Sequence, residues 1–194
     1  MYKFLTIILI VYIAFSACKK KENHPINIVD DPKIPDEIYL IELSKKILLQ
    51  NFKEAKVDKT KDGSSLVLEY GGSSALSFRN QDTYEKEMKL ITANYLLKFI
   101  RYTSTRNLKL ITISIVKPYY VNEESIKKEV IEEFEVYRVS LETEKTKSIK
   151  DIELVDLENV DTKSPEWESK VKVLEEIIKI WKVELNDLRR IEIK

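Results

Sequence analysis

The sequence predicts an α+β fold, a single domain in which a mostly antiparallel sheet packs against two or three amphipathic helices. Three observations predict it. Apolar residues recur at steps of three and four through Tyr84, Met88, Ile91, Tyr95, Phe99 and Tyr102, the period of a half-buried helix. Leu66, Leu68 and Tyr70 alternate with other residues, as one face of a strand does. Residues 108–116 are rich in Ile, Leu, Thr and Val, the residue types that fit a pleated surface. The totals agree, since 194 residues with 43% hydrophobic content suit one domain of about 100–200 residues. The 34% charged content stands above the ~25% usual for soluble chains without reaching the composition of disorder.

The first element lies outside that domain. Met1-Tyr2-Lys3 is followed by an apolar run from Phe4 to Phe15 and then by Ser16-Ala17-Cys18. A short basic start, an apolar stretch and small residues before a cut are the parts of a secretory signal. The run is too short for a stable membrane span, which needs about 20 residues. Ser16-Ala17-Cys18 resembles the lipobox of bacterial lipoproteins, with Phe15 where Leu is usual. The resemblance covers only the first ~20 residues. It implies that a peptidase removes residues 1–17 and that the Cys18 thiol carries a diacylglyceryl group. Cys18 is the sole cysteine, which excludes an internal disulfide.

Residues 18–36 then read as a tether from the lipid to the domain, with Pro25, Pro32 and Pro35 keeping it extended. Lys19, Lys20 and Lys21 either meet anionic lipid or simply begin a solvated spacer. The domain is expected over 37–194. Asp36 caps a helix predicted over 37–55, with Ile38, Ile41, Leu48 and Phe52 on one face and Leu40, Leu43 and Ile47 widening it. A turn at Asp62-Gly63 leads into the strand at 66–70, ended by Gly71-Gly72. A short return strand is expected over Ala75 to Phe78. Asp82 and Glu85 have capping-box spacing ahead of the 84–102 helix.

The strand over 108–116 carries apolar residues on both faces, which predicts a central strand covered on both sides, with Pro118 marking its end or an edge. Residues 130–141 keep both strand and helix features, and their β-branched and aromatic content favours a strand antiparallel to 108–117. Residues 142–164 read as a further edge strand or a loop. Ser164-Pro165-Glu166 is a helix start, Ser as cap and Pro at the first helical position. Trp167, Val171, Leu174, Ile178, Trp181, Leu185 and Leu188 follow as a heptad-like seam, either docked on the chain's own domain or offered to a partner helix.

Function is bounded mostly by exclusion. Lys+Arg and Asp+Glu balance at 33 each, without the basic stripe of a nucleic-acid binder. Arg is scarce, at 79, 101, 106, 138, 189 and 190, which disfavours phosphate and carboxylate clamps. Three glycines cannot build a phosphate loop. His24, the one histidine, sits in the tether, so neither a Cys–His pair nor a zinc site is expected. Acidic runs such as Asp30-Asp31 lack the order of a calcium loop. No cofactor, metal or catalytic residue is expected. The expectation is a lipid-anchored protein of the bacterial cell envelope, the outer membrane favoured, held through Cys18 and binding a protein partner. The alternative is a small-ligand carrier or hydrolase whose groove between helix and sheet is lined by Tyr95, Phe99 and Tyr102.

Overall fold

A computed structural model of the chain describes residues 31–71, 81–123, 128–157 and 161–188. Helix α1 spans Asp36–Leu48 and runs into a 3-10 turn over Leu49–Asn51. β1 (Phe52–Thr60) and β2 (Gly63–Tyr70) form a hairpin, and α2 (Gln81–Tyr102) crosses over to β3 (Leu108–Glu123). β4 (Lys128–Glu142) returns along β3, and a 3-10 stretch, Thr143–Ser148, leads away from it. α3 (Pro165–Ile180) and β5 (Lys182–Asn186) complete the order. The five strands form one sheet in chain order, β1-β2-β3-β4-β5. β2 and β3 are parallel because α2 carries the chain back across the sheet, and the other neighbours are antiparallel. The α+β class with a mostly antiparallel sheet is the observed one.

One face of the sheet is the apolar core. Along β2 burial alternates, with Leu66, Leu68 and Tyr70 buried between half-exposed neighbours. The register sets them beside Ile111, Ile113 and Ile115 of β3 and then Tyr137, Val139 and Leu141 of β4, all buried. Leu40, Leu43, Leu96, Leu97, Val173, Leu174 and Ile177 from the three helices join the same core. Fully burying one such side chain contributes about 1.5–3 kcal/mol, so this layer dominates stability. The other face of β3 is covered at its middle too, with Thr112, Ser114 and, beside them, Ser140 buried, as expected of a central strand, but it is polar there. Leu110 and Val116 are only half-buried, and Thr112 and Ser114 between them are polar. Those hydroxyls bond sideways, Thr112 with Ser140 at 3.0 Å and Ser114 accepting from Arg138 Nε at 3.3 Å.

Three boundaries move. The first helix stops at Leu48, and Phe52, Ala55 and Val57 belong to β1. Its buried residues are Tyr39, Leu40, Leu43, Ser44, Ile47 and Leu48, so Ile38, 56% exposed, lies off the core face. Its N-cap is Pro35, leaving Asp36 as the first helical residue. The last helix ends at Ile180, and Leu185 is a β5 residue. The heptad seam therefore stops within the helix, where Leu174 is buried and Trp167, Val171 and Ile178 are half-buried, while Lys170, Val173 and Ile177 make up the rest of the buried face. Ser164 and Pro165 do start that helix, the Ser164 hydroxyl accepting from Trp167 N at 3.2 Å. β3 runs on through Pro118 to Glu123. β2 ends at Tyr70, opposite Ile115, and among the described residues no strand pairs with β3 on that side at Pro118. Residues 142–157 form a 3-10 stretch and turns that bury Ile149, Ile152 and Val155 while Leu154 stays exposed. The expected return strand at 75–78 lies outside the described residues.

Candidate functional site

Cys18 and His24 lie outside the described residues. The aromatic stripe of α2 is well placed for inspection. Phe99 is wholly buried in the core, while Tyr95 and Tyr102 are half-buried at its margin. Tyr95 meets Tyr70 edge-on, ring centroids 5.1 Å apart, and Tyr102 offers its carbonyl to the Tyr39 hydroxyl at 2.7 Å. Ile91, counted in the same stripe, points outward. Of the three candidate groove residues, Phe99 is core, Tyr95 packs against Tyr70, and Tyr102 meets Tyr39 through its backbone carbonyl.

The aromatics instead meet a row across the whole sheet. Phe52, Tyr70, Ile115, Tyr137 and Asn186 are register partners from β1 to β5. The Tyr70 hydroxyl shares a 2.8 Å hydrogen bond with Thr92, and Tyr137 packs edge-on against Trp181. Glu85, nearly buried in the first turns of α2, pairs with Lys89 at 2.7 Å and lies 3.5 Å from Asn186 Nδ2. Glu85 thereby joins this network. Burial pushes the Tyr84 hydroxyl up to about 12. Burial, aided by the nearby Glu85 charge, also raises Tyr137, and burial outweighs the Thr92 bond to raise Tyr70 further. All three stay protonated at neutral pH, so the row supplies neutral hydroxyls and no phenolate base.

Two further arrangements were not legible in the sequence. At one end of the sheet, Arg106 gathers the segment entering α1. Its guanidinium donates to the carbonyls of Ile34 (2.8 Å) and Asp31 (2.9 Å) and to Asp36 Oδ1 (3.0 Å), and lies 4.3 Å over the Tyr39 ring. The planar fork suits three acceptors at once, and stacking on the ring adds to it. Residues 31–36, expected as tether, are therefore fastened to the domain. Arg101 does the same for the turn at 151–155, donating to the carbonyls of Ile152 and Val155 and pairing with Glu153. Arg101 and Arg106 do clamp acceptors, and those acceptors are the chain's own.

At the opposite end β3 and β4 outrun their neighbours. Past Ile115 and Tyr137 the ladder continues from Val116–Glu135 to Glu123–Lys128, and among the described residues no third strand pairs with it. A bulge marks the departure: Ile115 faces Tyr137 and Val116 faces Glu135, leaving Val136 as the extra residue. Bulges bend a strand and increase its twist. Gly71 fits against this bend, where a Cβ would lie 2.2 Å from the Val116 carbonyl oxygen. Lys53 pairs with Glu133 across the base of the arm.

Comparison of the chain with protein-family models, with curated proteins and with solved structures gives no match. Among the described residues no helix is long and apolar enough to cross a membrane, and no group of three His, Cys, Asp or Glu could hold a metal ion.

Proposed function

We propose that the chain is a lipid-anchored protein of the bacterial cell envelope, held through Cys18, whose domain binds a protein partner. The supporting observation is the opposition of its two ends. Asp31, the first residue of the clamped segment, lies 13 residues after Cys18 and beside Arg106, which closely precedes the start of β3. The β3–β4 arm, unaccompanied by a third strand among the described residues, leaves from the other end of the same strand. A tether of that length reaches at most about 45 Å when fully extended. β3 has 16 residues, roughly 50 Å at the usual rise. A domain tied at Asp31 thus carries its arm on the side remote from its attachment, the arrangement a presenting module needs.

Metabolic labelling with an alkyne fatty acid tests the anchor. The wild-type chain should take the label and Cys18→Ala should not. Protease shaving of intact cells then reads the face: loss of the domain places it outside the cell, and survival until the outer membrane is broken places it in the periplasm. An unlabelled wild-type chain would end the lipoprotein reading.

A further inference from the structure

We infer that the outer edge of β1 is a self-association surface, and that its occupant is the β1 edge of a second copy of this chain, antiparallel to the first and centred on Val57. This surface is separate from the arm and needs no lipid anchor. Backbone geometry supplies the edge. β1 is the end strand of the sheet, with β2 on its inner side and, among the described residues, no strand on the other. The 3-10 turn that leads into it and the Lys61-Asp62 turn that leads out are both described. Among the described residues no backbone hydrogen bond leaves β1 away from β2. Thr60 and Gly63 close a hairpin with two residues in its loop, so they exchange hydrogen bonds. Pairing alternates from there: Asp58 and Lys56 also direct their N–H and C=O groups to β2, and Ala55, Val57 and Lys59 turn theirs outward. The first residue of α1, Asp36, accepts from Ser64 of β2 and from Arg106, so the helix begins inboard of this edge.

Side chains select the occupant. Ala55 and Val57 pair with the buried Leu68 and Leu66 and sit half-buried at the margin of the core. With Val57 opposite the partner's Val57, the two margins meet and apolar surface is removed from water on both sides of the join. On the other face of the sheet the same register sets Lys56 opposite the partner's Asp58, twice by symmetry. Asp58 makes no ion pair among the described residues, and Lys56 makes only an exposed one, with Glu54 at 3.2 Å. Centring the pair on Lys56 would set lysine against lysine and Glu54 against the partner's Asp58. Centring it on Ala55 would run the ladder into the irregularity between Phe52 and Glu54. Lysines at 53, 56 and 59 discourage pairing with arbitrary strands, and they leave this register complementary. The contact is isologous, so it closes at two copies.

The test uses the full chain in detergent, its mass read by sedimentation in density-matched buffer over a range of about 1 to 100 μM. A monomer–dimer equilibrium is expected. Asp58→Lys should weaken it at least tenfold and leave the melting temperature unchanged, because the position is exposed. Adding Lys56→Asp to Asp58→Lys restores the opposite charges and should return the dimer to within about threefold of wild type. In a Cys18→Ala background, which removes the chain's own thiol, Val57→Cys should give a disulfide-linked dimer on mild oxidation. Its Cα atoms would lie about 5.5 Å apart across the axis. Thr60→Cys, about 20 Å from its counterpart, should not link. A chain that stays monomeric throughout the range would overturn the inference. So would a dimer that Asp58→Lys leaves intact or that the double exchange does not restore, or Thr60→Cys linking as readily as Val57→Cys. A Val57→Cys chain that links in cells to a different protein in place of itself would also overturn it, because the occupant would then be another partner.

Discussion

The two ends of the sheet hold their chain in different ways. Around Arg106 one guanidinium bonds three acceptors and stacks on Tyr39, so a segment without regular structure is fixed by side chains. In the arm the backbone ladder of β3 and β4 does the holding, and the Lys53–Glu133 pair at its base is exposed on both sides. Exposed pairs contribute about 0–1 kcal/mol, whereas breaking a largely buried one costs several times more. The clamped end is rigid because its bonds converge on one nearly buried group. The arm is the part of the sheet that a partner could alter at small cost.

That contrast can be broken in four places, taken from the largest effect down. Phe99→Ala should cost about 3–5 kcal/mol in chemical denaturation, as deletion of a fully buried aromatic does. Tyr95→Ala should cost clearly less, since that ring is half-buried; an equal cost would make the stripe uniform core. Arg106→Ala should destabilise by about 2–3 kcal/mol, leaving two carbonyls and a carboxylate without their donor. Hydrogen exchange at Ile34 and trypsin cleavage after Lys33 should accelerate while the amides of β4 over 129–135 are unchanged. Faster exchange in both places would mean that the two ends are coupled. Gly71→Ala should cost about 2 kcal/mol, because the new methyl meets the Val116 carbonyl and must displace β3 at its bend. Its effect should fall on arm amides first. Leu49→Gly should stabilise by about 1 kcal/mol, since Leu49 sits at φ 52°, 71% exposed, with little packing to lose. A destabilised Leu49→Gly would show that the exposed side chain is held by something.

The same residues explain how far the fold could be read from sequence. β2 and α2 were legible because each has one buried face with a single period, and Ser164-Pro165 signalled a helix start that the structure uses. Elsewhere two periods coincide. Leu48, Phe52 and Ala55 keep helical spacing across the point where α1 becomes β1, and Trp181, Leu185 and Leu188 do the same past α3. Neither break carries a glycine or proline. The first is made by Leu49 in a backbone region that leucine seldom enters, so its residue type gives no warning. Tyr95, Phe99 and Tyr102 were correctly placed on one helix, but spacing alone cannot say which neighbour each ring meets. The Arg106 clamp joins residues 70 or more positions apart and has no local pattern at all.

The agreement of strand order with chain order has a kinetic consequence. Each strand finds as its neighbour the strand laid down just before it. The long gap between β2 and β3 is bridged by a helix that can form locally before the parallel pair closes, and the similar gap between β4 and β5 holds another helix. Loop closures stay short, and their entropy grows only slowly with length. A chain delivered from its N-terminus can therefore widen the sheet one strand at a time, and no earlier strand has to wait for a later one to be inserted beside it.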